Sequence, residues 1–313
     1  MKRRSFLKSG ILTGAVATTG AFALATEEIT GINTRINKSA AGEPFTMKFS
    51  PEFGIFSEAS GKKLSDQIKW GYDQGFRAWE NTGLKGRPVS EQEEISKTVQ
   101  QLGMEFGQFV GTMTFEHVTF AGNDQSLREK VLQDVKQSVE VAKRMGTKFI
   151  HNVLGMAHPK LPYDFQMANA VDLLKRIADI YEPHGIVMVM ESMNHKIDHP
   201  GMFLHTIPQA YALAKAVGRP SMKVLFDFYH VQIQEGNVLP TLDYAWDEIA
   251  YIQVGDTPGR KEPTTGEINY PNVLRHLHNK GYRGFVGLEH GTSKPGREGA
   301  LAVLKAYRNI DPR

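Results

Sequence analysis

Residues 187–191 read Val-Met-Val-Met-Glu, a short apolar run that ends in a carboxylate. Three later runs have the same form and also end in an oxygen-bearing side chain: residues 223–227 in Asp227, residues 251–253 in Gln253 and residues 285–289 in Glu289. Apolar runs of this length predict buried strands. An ionised carboxylate at the end of a buried strand is costly unless a cation or hydrogen bonds compensate it. Four such ends indicate one shared partner, and a divalent cation is the simplest candidate.

Outward from these runs, short apolar segments alternate with longer amphipathic ones. The predicted helices include residues 124–145, 164–182 and 205–217, and the predicted strands lie near residues 46–50, 76–80, 104–110, 147–153, 186–191, 222–227, 249–254 and 284–289. Eight strand–helix units over about 245 residues match the usual size of a (β/α)₈ TIM barrel. The chain has no Gly-x-Gly-x-x-Gly turn of the kind that opens a dinucleotide-binding fold. We therefore predict an α/β protein with one TIM-barrel domain, residues 45–313.

The barrel matters for function because its active site forms where the strands end, from residues that different strands contribute. Neighbouring strands lie about 4.7–4.9 Å apart, so groups at adjacent strand ends reach a single ion. Three carboxylates and one amide oxygen form a hard set that suits Mg²⁺ or Mn²⁺. The local pattern also predicts helix ends: residues 126–129 have capping-box spacing, and Gly146 lies where a helix stops.

The first 25 residues have the layout of an export signal. A basic start that contains Arg3 and Arg4 precedes a weakly apolar stretch with small residues before Thr26. The paired arginines resemble the twin-arginine (Tat) motif. We predict a signal at residues 1–25, a linker at 26–44, the Tat translocase as a transport partner and a periplasmic or otherwise exported protein, with an uncleaved membrane anchor as the alternative.

Composition excludes several classes of function. Removing the signal takes four of the 37 basic residues and no acid, which leaves 33 basic against 34 acidic residues. This near-neutral balance predicts no nucleic-acid partner and favours a small-molecule substrate. Zero cysteines exclude disulfides, thiolate metal sites and a cysteine nucleophile. A homo-oligomeric assembly is compatible with this composition.

Five segments in the second half of the chain carry a family resemblance: Tyr-Ile-Gln-Val-Gly-Asp-Thr-Pro-Gly-Arg-Lys-Glu-Pro at 251–263, Gly-Glu-Ile-Asn-Tyr at 266–270, Asp-Phe-Tyr-His at 227–230, Val-Gly-Leu-Glu at 286–289 and Pro-Gly-Met-Phe-Leu at 200–204. They resemble the motifs of hydroxypyruvate isomerases, within the xylose isomerase-like barrel superfamily. The resemblance covers roughly residues 46–307 and is strongest from Glu191 onward.

The resemblance implies a metal held by Glu191, Asp227, Gln253 and Glu289, with Glu191 and Glu289 as the catalytic proton-transfer pair. That chemistry moves a carbonyl along a hydroxy-ketone or hydroxy-aldehyde through an enediolate. Further residues are candidates for substrate binding: His230 inside a matched motif, Arg260 in a loop over the site, Asn194 after Glu191, and Glu80 at the end of a strand. The alternatives are a capping or packing role for His230, a surface position for Arg260 and a structural salt bridge for Glu80. His151 ends the fourth predicted strand and His195 follows Glu191; both are interpreted as loop residues unless the fold turns them inward.

Other functions compete on the same fold. A ketose 3-epimerase would use the same glutamate pair to exchange a proton at one carbon, and a non-catalytic carbohydrate-binding barrel would keep the fold alone. An endonuclease IV-type phosphodiesterase would need a histidine-rich zinc cluster and a basic groove. Two features leave the substrate open between hydroxypyruvate and a related sugar or sugar acid. One is the export signal, and the other is Ser192-Met193, where the family commonly has a proline-containing turn.

Overall fold

The structure is a computed structural model that describes residues 42–312. Nine strands and ten α-helices alternate within this range. The strands are β1 Lys48–Pro51, β2 Ala78–Trp79, β3 Glu105–Phe106, β4 Phe109–Thr112, β5 Phe149–Asn152, β6 Val187–Glu191, β7 Met222–Asp227, β8 Ile249–Val254 and β9 Phe285–Leu288. The helices are α1 Ser57–Ser60, α2 Leu64–Asp73, α3 Val89–Gln101, α4 Gln125–Met145, α5 Tyr163–Tyr181, α6 Ile207–Val217, α7 Phe228–Gln234, α8 Val238–Tyr244, α9 Tyr270–Asn279 and α10 Gly296–Ile310.

The strands form a parallel barrel. Seven of them pair in the order β1-β9-β8-β7-β6-β5-β4, and β2 pairs with β3. Backbone hydrogen bonds join the two sheets, from Glu80 N to Pro51 O at 3.0 Å and from Val110 N to Thr82 O at 3.1 Å. Because β3 and β4 are two pieces of one stave, the ring has eight staves, and the predicted (β/α)₈ barrel is confirmed.

Side-chain alternation places the barrel floor and the site on the same inward face. Val189, Leu225 and Tyr251 belong to a small buried cluster that is separate from the main core between strands and helices. Each lies two residues before a predicted ligand on its strand, so it shares that ligand's direction. The cross-strand register sets Asp227 opposite Gln253. The ligands therefore form the layer above this apolar floor.

The start of α4 differs from the predicted capping box at residues 126–129. Asp124 is the N-cap residue, and its Oδ1 accepts hydrogen bonds from the backbone N of Ser126 at 2.8 Å and of Leu127 at 3.1 Å. A carboxylate at this position satisfies two backbone donors and is also favoured by the helix dipole. The helix therefore begins two residues earlier than a cap at Ser126 allows. The predicted stop is confirmed, since Gly146 ends α4 with a left-handed φ of 69°.

The predicted signal, residues 1–25, and the predicted linker as far as residue 41 lie outside the described residues. Both assignments stay predictions, as does the domain boundary at residue 45. From residue 42 to residue 312, no helix combines the length and the apolar character that crossing a membrane requires.

Candidate active site

The four predicted ligands lie together at the carboxyl ends of consecutive strands. Glu191 and Asp227 are the last residues of β6 and β7, Gln253 is the penultimate residue of β8, and Glu289 directly follows β9. Glu191, Asp227 and Gln253 are at most 1% exposed. The Glu289 side chain is 29% exposed. The site thus has three buried walls and one carboxylate that reaches solvent.

Asp227 is held by the helix that follows it. It is the N-cap residue of α7, and its Oδ1 accepts a hydrogen bond from the backbone N of Tyr229 at 2.8 Å. Its Oδ2 lies toward the cluster, 3.7 Å from His230 Nε2. The strand-to-helix turn therefore fixes which oxygen of Asp227 a ligand meets.

Several buried polar atoms around this point have no hydrogen-bond partner among the described residues. They are Glu191 Oε1, Glu289 Oε2, His230 Nε2, and both Oε1 and Nε2 of Gln253. Each unsatisfied buried polar atom costs about 1–3 kcal/mol, so this many in one place are accounted for by a common ligand. Ligand atoms of Glu191, Asp227 and His230 lie within 4.8 Å of one another, a spacing that can hold a metal ion. The carboxylate and amide oxygens of this set fit a divalent cation, whereas the nitrogen atoms of His230 and Gln253 fit as hydrogen-bond donors to a bound substrate.

His230 is oriented by Asn194. The backbone N of Asn194 donates to His230 Nδ1 at 3.3 Å, and its side-chain Nδ2 lies 2.7 Å from the same atom. Because Nδ1 accepts, the ring proton is on Nε2, which lies 3.6 Å from Glu191 Oε1. Asn194 Nδ2 also donates a hydrogen bond to Asp198 Oδ2, and Asn194 Oδ1 accepts one from the backbone N of Ile197. Asn194 therefore lies on the Nδ1 side of His230, and both polar atoms of its side chain form hydrogen bonds with other protein groups.

His151 is a site residue that the sequence interpretation missed. The sequence interpretation gives it no role unless the fold turns it inward, and the structure does turn it inward: it belongs to β5 and is 3% exposed. Its Nε2 lies 2.9 Å from Glu191 Oε2. Burial lowers the pKa of His151 to about 4, so the ring is neutral. The available signal was its position at a strand end, although sequence alone does not tell which side chains turn inward. His195 does follow β6 in a turn.

Arg260 spans two of the ligands. Its Nη2 lies 3.1 Å from Asp227 Oδ2 and 3.0 Å from Glu289 Oε1, and its Nε donates to the Glu289 backbone O at 3.2 Å. Its backbone has a φ of 49°, in the left-handed region. The loop is held from behind by Asp256, whose carboxylate accepts from the backbone N of Gly266 at 2.9 Å. The structure thus brings the predicted substrate-binding arginine into contact with the carboxylates.

Glu80 lies inside the barrel, 1% exposed, at the level of Tyr251. It accepts hydrogen bonds from Tyr251 Oη at 2.5 Å and from Gln108 Nε2 at 3.3 Å. Burial raises the pKa of Glu80 to about 8. A side chain at Gly287 would come within 2.6 Å of both Glu80 oxygens. Glu80 is therefore packed against Gly287 of β9, and it forms no salt bridge among residues 42–312.

Burial and mutual repulsion raise the pKa of the clustered carboxylates. For Glu191 the larger cause is burial and the second is the charge of Asp227, while Arg260 acts in the opposite direction. Burial also raises the pKa of Glu289 and of Asp227, again against Arg260. Since Glu289 is partly exposed, water offsets more of the cost there. Burial holds the pKa of His230 well below its usual range.

A cleft of about 420 Å³ opens beside Glu289. It lies between the segment after β1 and the segment after β9, and it is lined by Glu52, Phe53, Gly54, Ile55, Leu288, Glu289, His290, Gly291 and Thr292. A volume of this size lies within the range of small-molecule sites, roughly 300–1,000 Å³. The exposed side of Glu289 is thus the side from which a substrate can approach.

Known proteins resemble this chain in sequence and in fold. A family model described as xylose isomerase-like TIM barrel matches residues 68–310. The chain belongs to this family. It is 33% identical over 182 residues to a hydroxypyruvate isomerase of Escherichia coli, which covers 58% of this chain and 70% of the relative. It is 30% identical to a 2-oxo-tetronate isomerase of Pectobacterium atrosepticum, over 52% of this chain and 62% of the relative.

A solved structure supports the fold. The D-psicose 3-epimerase of Clostridium cellulolyticum, solved with D-tagatose, superposes with a TM-score of 0.65 at 17% identity, over 84% of this chain and 91% of that chain. At this identity the likeness concerns the fold alone. Together with the isomerase relatives, these findings confirm the predicted family and the predicted class. The chain is an isomerase with a small-molecule substrate and a site suited to a metal.

Proposed function

We propose that this isomerase interconverts an aldose-type and a ketose-type form of hydroxypyruvate or a related small sugar acid, with the help of a divalent metal. One observation carries the proposal: Glu191 and Glu289 flank a buried cluster and each keeps one oxygen without a hydrogen-bond partner among the described residues. The relatives' names, hydroxypyruvate isomerase and 2-oxo-tetronate isomerase, support a short keto-acid substrate.

The two glutamates act as the proton-transfer pair. β7 and β8 separate the strands that carry them, so the two carboxylates approach a bound substrate from different sides. One carboxylate removes the proton from the hydroxyl-bearing carbon beside the carbonyl, which leaves an enediolate, and a carboxylate returns the proton to the former carbonyl carbon. The hydroxyl proton passes to the former carbonyl oxygen, so that the carbonyl moves by one carbon. Glu289 lines the cleft and meets an entering substrate first, whereas Glu191 lies deeper and next to His151.

Glu191, Asp227, Gln253 and Glu289 would hold the metal, for which Mg²⁺ or Mn²⁺ suits the oxygen donors. When bound, the ion supplies positive charge next to the substrate oxygens on which negative charge develops. His230 adds a neutral hydrogen-bond donor, because Asn194 keeps its proton on Nε2. Arg260 offers a guanidinium for the carboxylate of the substrate.

A ketose 3-epimerase is the second candidate, and the cleft favours it. The cleft beside Glu289, about 420 Å³, is far more room than a three-carbon acid fills, so a longer sugar bound at Glu289 could extend into it. On that substrate the same glutamate pair would remove a proton from one carbon and return it to the opposite face of that carbon.

Proton exchange tests the proposal directly. The Mn²⁺-loaded protein is incubated in D₂O with hydroxypyruvate, 2-keto sugar acids, ketoses and aldoses, and NMR follows deuterium at each carbon. We expect exchange for at least one substrate, and a loss of about 10³-fold or more in Glu191→Gln and in Glu289→Gln, since each removes an essential base. Glu93→Gln, which changes an exposed glutamate, is the matched control.

The product pattern separates the candidates. Carbonyl migration identifies an isomerase, and inversion at one carbon identifies an epimerase. Deuterium exchange at the wild-type rate in both glutamine variants contradicts the assignment of Glu191 and Glu289 as the proton-transfer pair. The absence of exchange with every substrate favours the non-catalytic barrel.

We also propose that residues 1–25 direct export through the Tat translocase to the periplasm. The support is the basic start with Arg3 and Arg4 ahead of a weakly apolar stretch. Residues 1–44 are fused to a fluorescent reporter, and its location is compared with that of the Arg3→Lys/Arg4→Lys fusion. We expect export of the first and cytoplasmic retention of the second. Retention of both fusions contradicts the proposal.

A further inference from the structure

The guanidinium of Arg260 partly neutralises the carboxylates of Glu191, Asp227 and Glu289. Its Nη2 lies 3.1 Å from Asp227 Oδ2 and 3.0 Å from Glu289 Oε1. The guanidinium also lies over the ring of Tyr229, 4.8 Å from its centroid. One positive charge thus contacts two of the three carboxylates in the cluster.

The oxygen that Arg260 holds on Asp227 is the one a metal needs. Oδ1 of Asp227 is turned away to accept the backbone N–H of Tyr229. Oδ2 is the Asp227 oxygen that faces His230, 3.7 Å from its Nε2, on the inner side of the cluster. A guanidinium and a divalent ion at this oxygen repel each other strongly, because their charges would be only a few ångströms apart in a poorly hydrated site.

The backbone of Arg260 is fixed while its side chain has room to turn. The backbone N of Gly291 donates to Arg260 O at 2.9 Å, and the next residue, Lys261, accepts from the backbone N of Asp256 at 2.8 Å. The side chain itself is 28% exposed. A rotation about side-chain bonds therefore suffices to move the guanidinium from the carboxylates toward the mouth of the site.

We propose that Arg260 and the divalent metal compete for Asp227 and Glu289, and that metal binding releases the guanidinium to receive the anionic group of the substrate. The site then binds the metal first and the anion second. The competition follows from the contacts of Arg260, whereas the release toward a substrate anion rests on the proposed function.

Metal affinity tests the competition without any turnover. Wild type, Arg260→Gln and Lys261→Gln are stripped with a chelator and titrated with Mn²⁺, while electron paramagnetic resonance measures the free ion. Lys261→Gln is the matched control, since it removes the same charge from the same loop and Lys261 forms no ion pair in the described part of the chain. We expect the Kd for Mn²⁺ to be lower in Arg260→Gln than in wild type by about tenfold or more. In Lys261→Gln the Kd should stay within about twofold of the wild-type value.

Thermal unfolding supplies a second readout. Without metal, Arg260→Gln leaves buried carboxylates uncompensated, so its Tm is expected to fall below that of wild type. Saturating Mn²⁺ should then raise its Tm by more than it raises that of wild type. Equal Mn²⁺ affinity in wild type and Arg260→Gln overturns the competition. Weaker binding in the variant also overturns it, and would make Arg260 a residue that orients the ligands.

The order of binding is tested with pyruvate, a simple keto acid. Calorimetry should detect pyruvate binding to wild type with Mn²⁺ and not without it, and at least about tenfold weaker binding to Arg260→Gln with Mn²⁺. Equal pyruvate affinity with and without Mn²⁺ overturns the order. Tighter Mn²⁺ binding in Arg260→Gln combined with no deuterium exchange in wild type would support the competition while rejecting the proposed isomerisation.

Discussion

At the scale of single residues, the site depends on which side chains share one buried space. Glu80, Tyr251 and Gly287 show how tight this space is. Glu80 Oε2 accepts a hydrogen bond from the Tyr251 hydroxyl at 2.5 Å, and both Glu80 oxygens lie where a side chain of Gly287 would project. Gly287 has no unusual backbone conformation to explain its identity. Gly287 instead lacks a side chain because the carboxyl group of Glu80 fills the space that a side chain would need.

We therefore predict that Gly287→Ala is destabilising. The new Cβ would lie 2.6 Å from both Glu80 oxygens, in a core that resists overpacking, so the free energy of unfolding should fall by about 1–3 kcal/mol. Urea denaturation of the chelator-treated protein measures this change. Gly83→Ala, at a glycine with nothing within 4 Å of the added Cβ, is the control and should change stability by less than about 0.5 kcal/mol. Equal stabilities for the two variants would contradict the packing explanation.

At the scale of helices and strands, hydrophobic periodicity predicts where the elements lie along the chain well, but it predicts poorly which side chains turn into the barrel. The eight predicted strands overlap the eight staves, and α4 and α5 begin within one residue of their predicted starts. These elements are encoded by local apolar patterns. The cap of α4 was missed because Asp124 and Ser126 are both good caps, and the choice depends on the path of the preceding chain.

The sequence predicts the site residues that end apolar runs, and it misses those whose role depends on side-chain direction. Glu191, Asp227, Gln253 and Glu289 could be grouped from sequence because each ends its own apolar run. His151 could not, since it lies within β5 and its inward direction depends on the register with β6. The partners of Arg260 depend on a loop with a left-handed backbone at that residue, which a sequence pattern does not encode.

At the scale of the whole molecule, the buried acids make stability depend on pH. Glu80 is fully buried, and burial raises its pKa from 4.5 to about 8. Between these values the folded protein keeps a proton that the unfolded chain releases. The free energy of unfolding therefore falls as pH rises through this window, by at most about 1.4 kcal/mol per pH unit for one proton.

We predict that Glu80→Gln reduces this dependence. The amide oxygen still accepts the Tyr251 hydroxyl, while the variant has no proton to lose, so its stability relative to wild type should rise by about 2 kcal/mol from pH 5.5 to pH 7.5. Urea denaturation of both proteins in a chelator, across that range, measures the difference. Because the clustered carboxylates contribute equally to both proteins, the difference isolates Glu80. Glu93→Gln should give parallel curves, and parallel curves for Glu80→Gln would mean that Glu80 is ionised in the folded barrel.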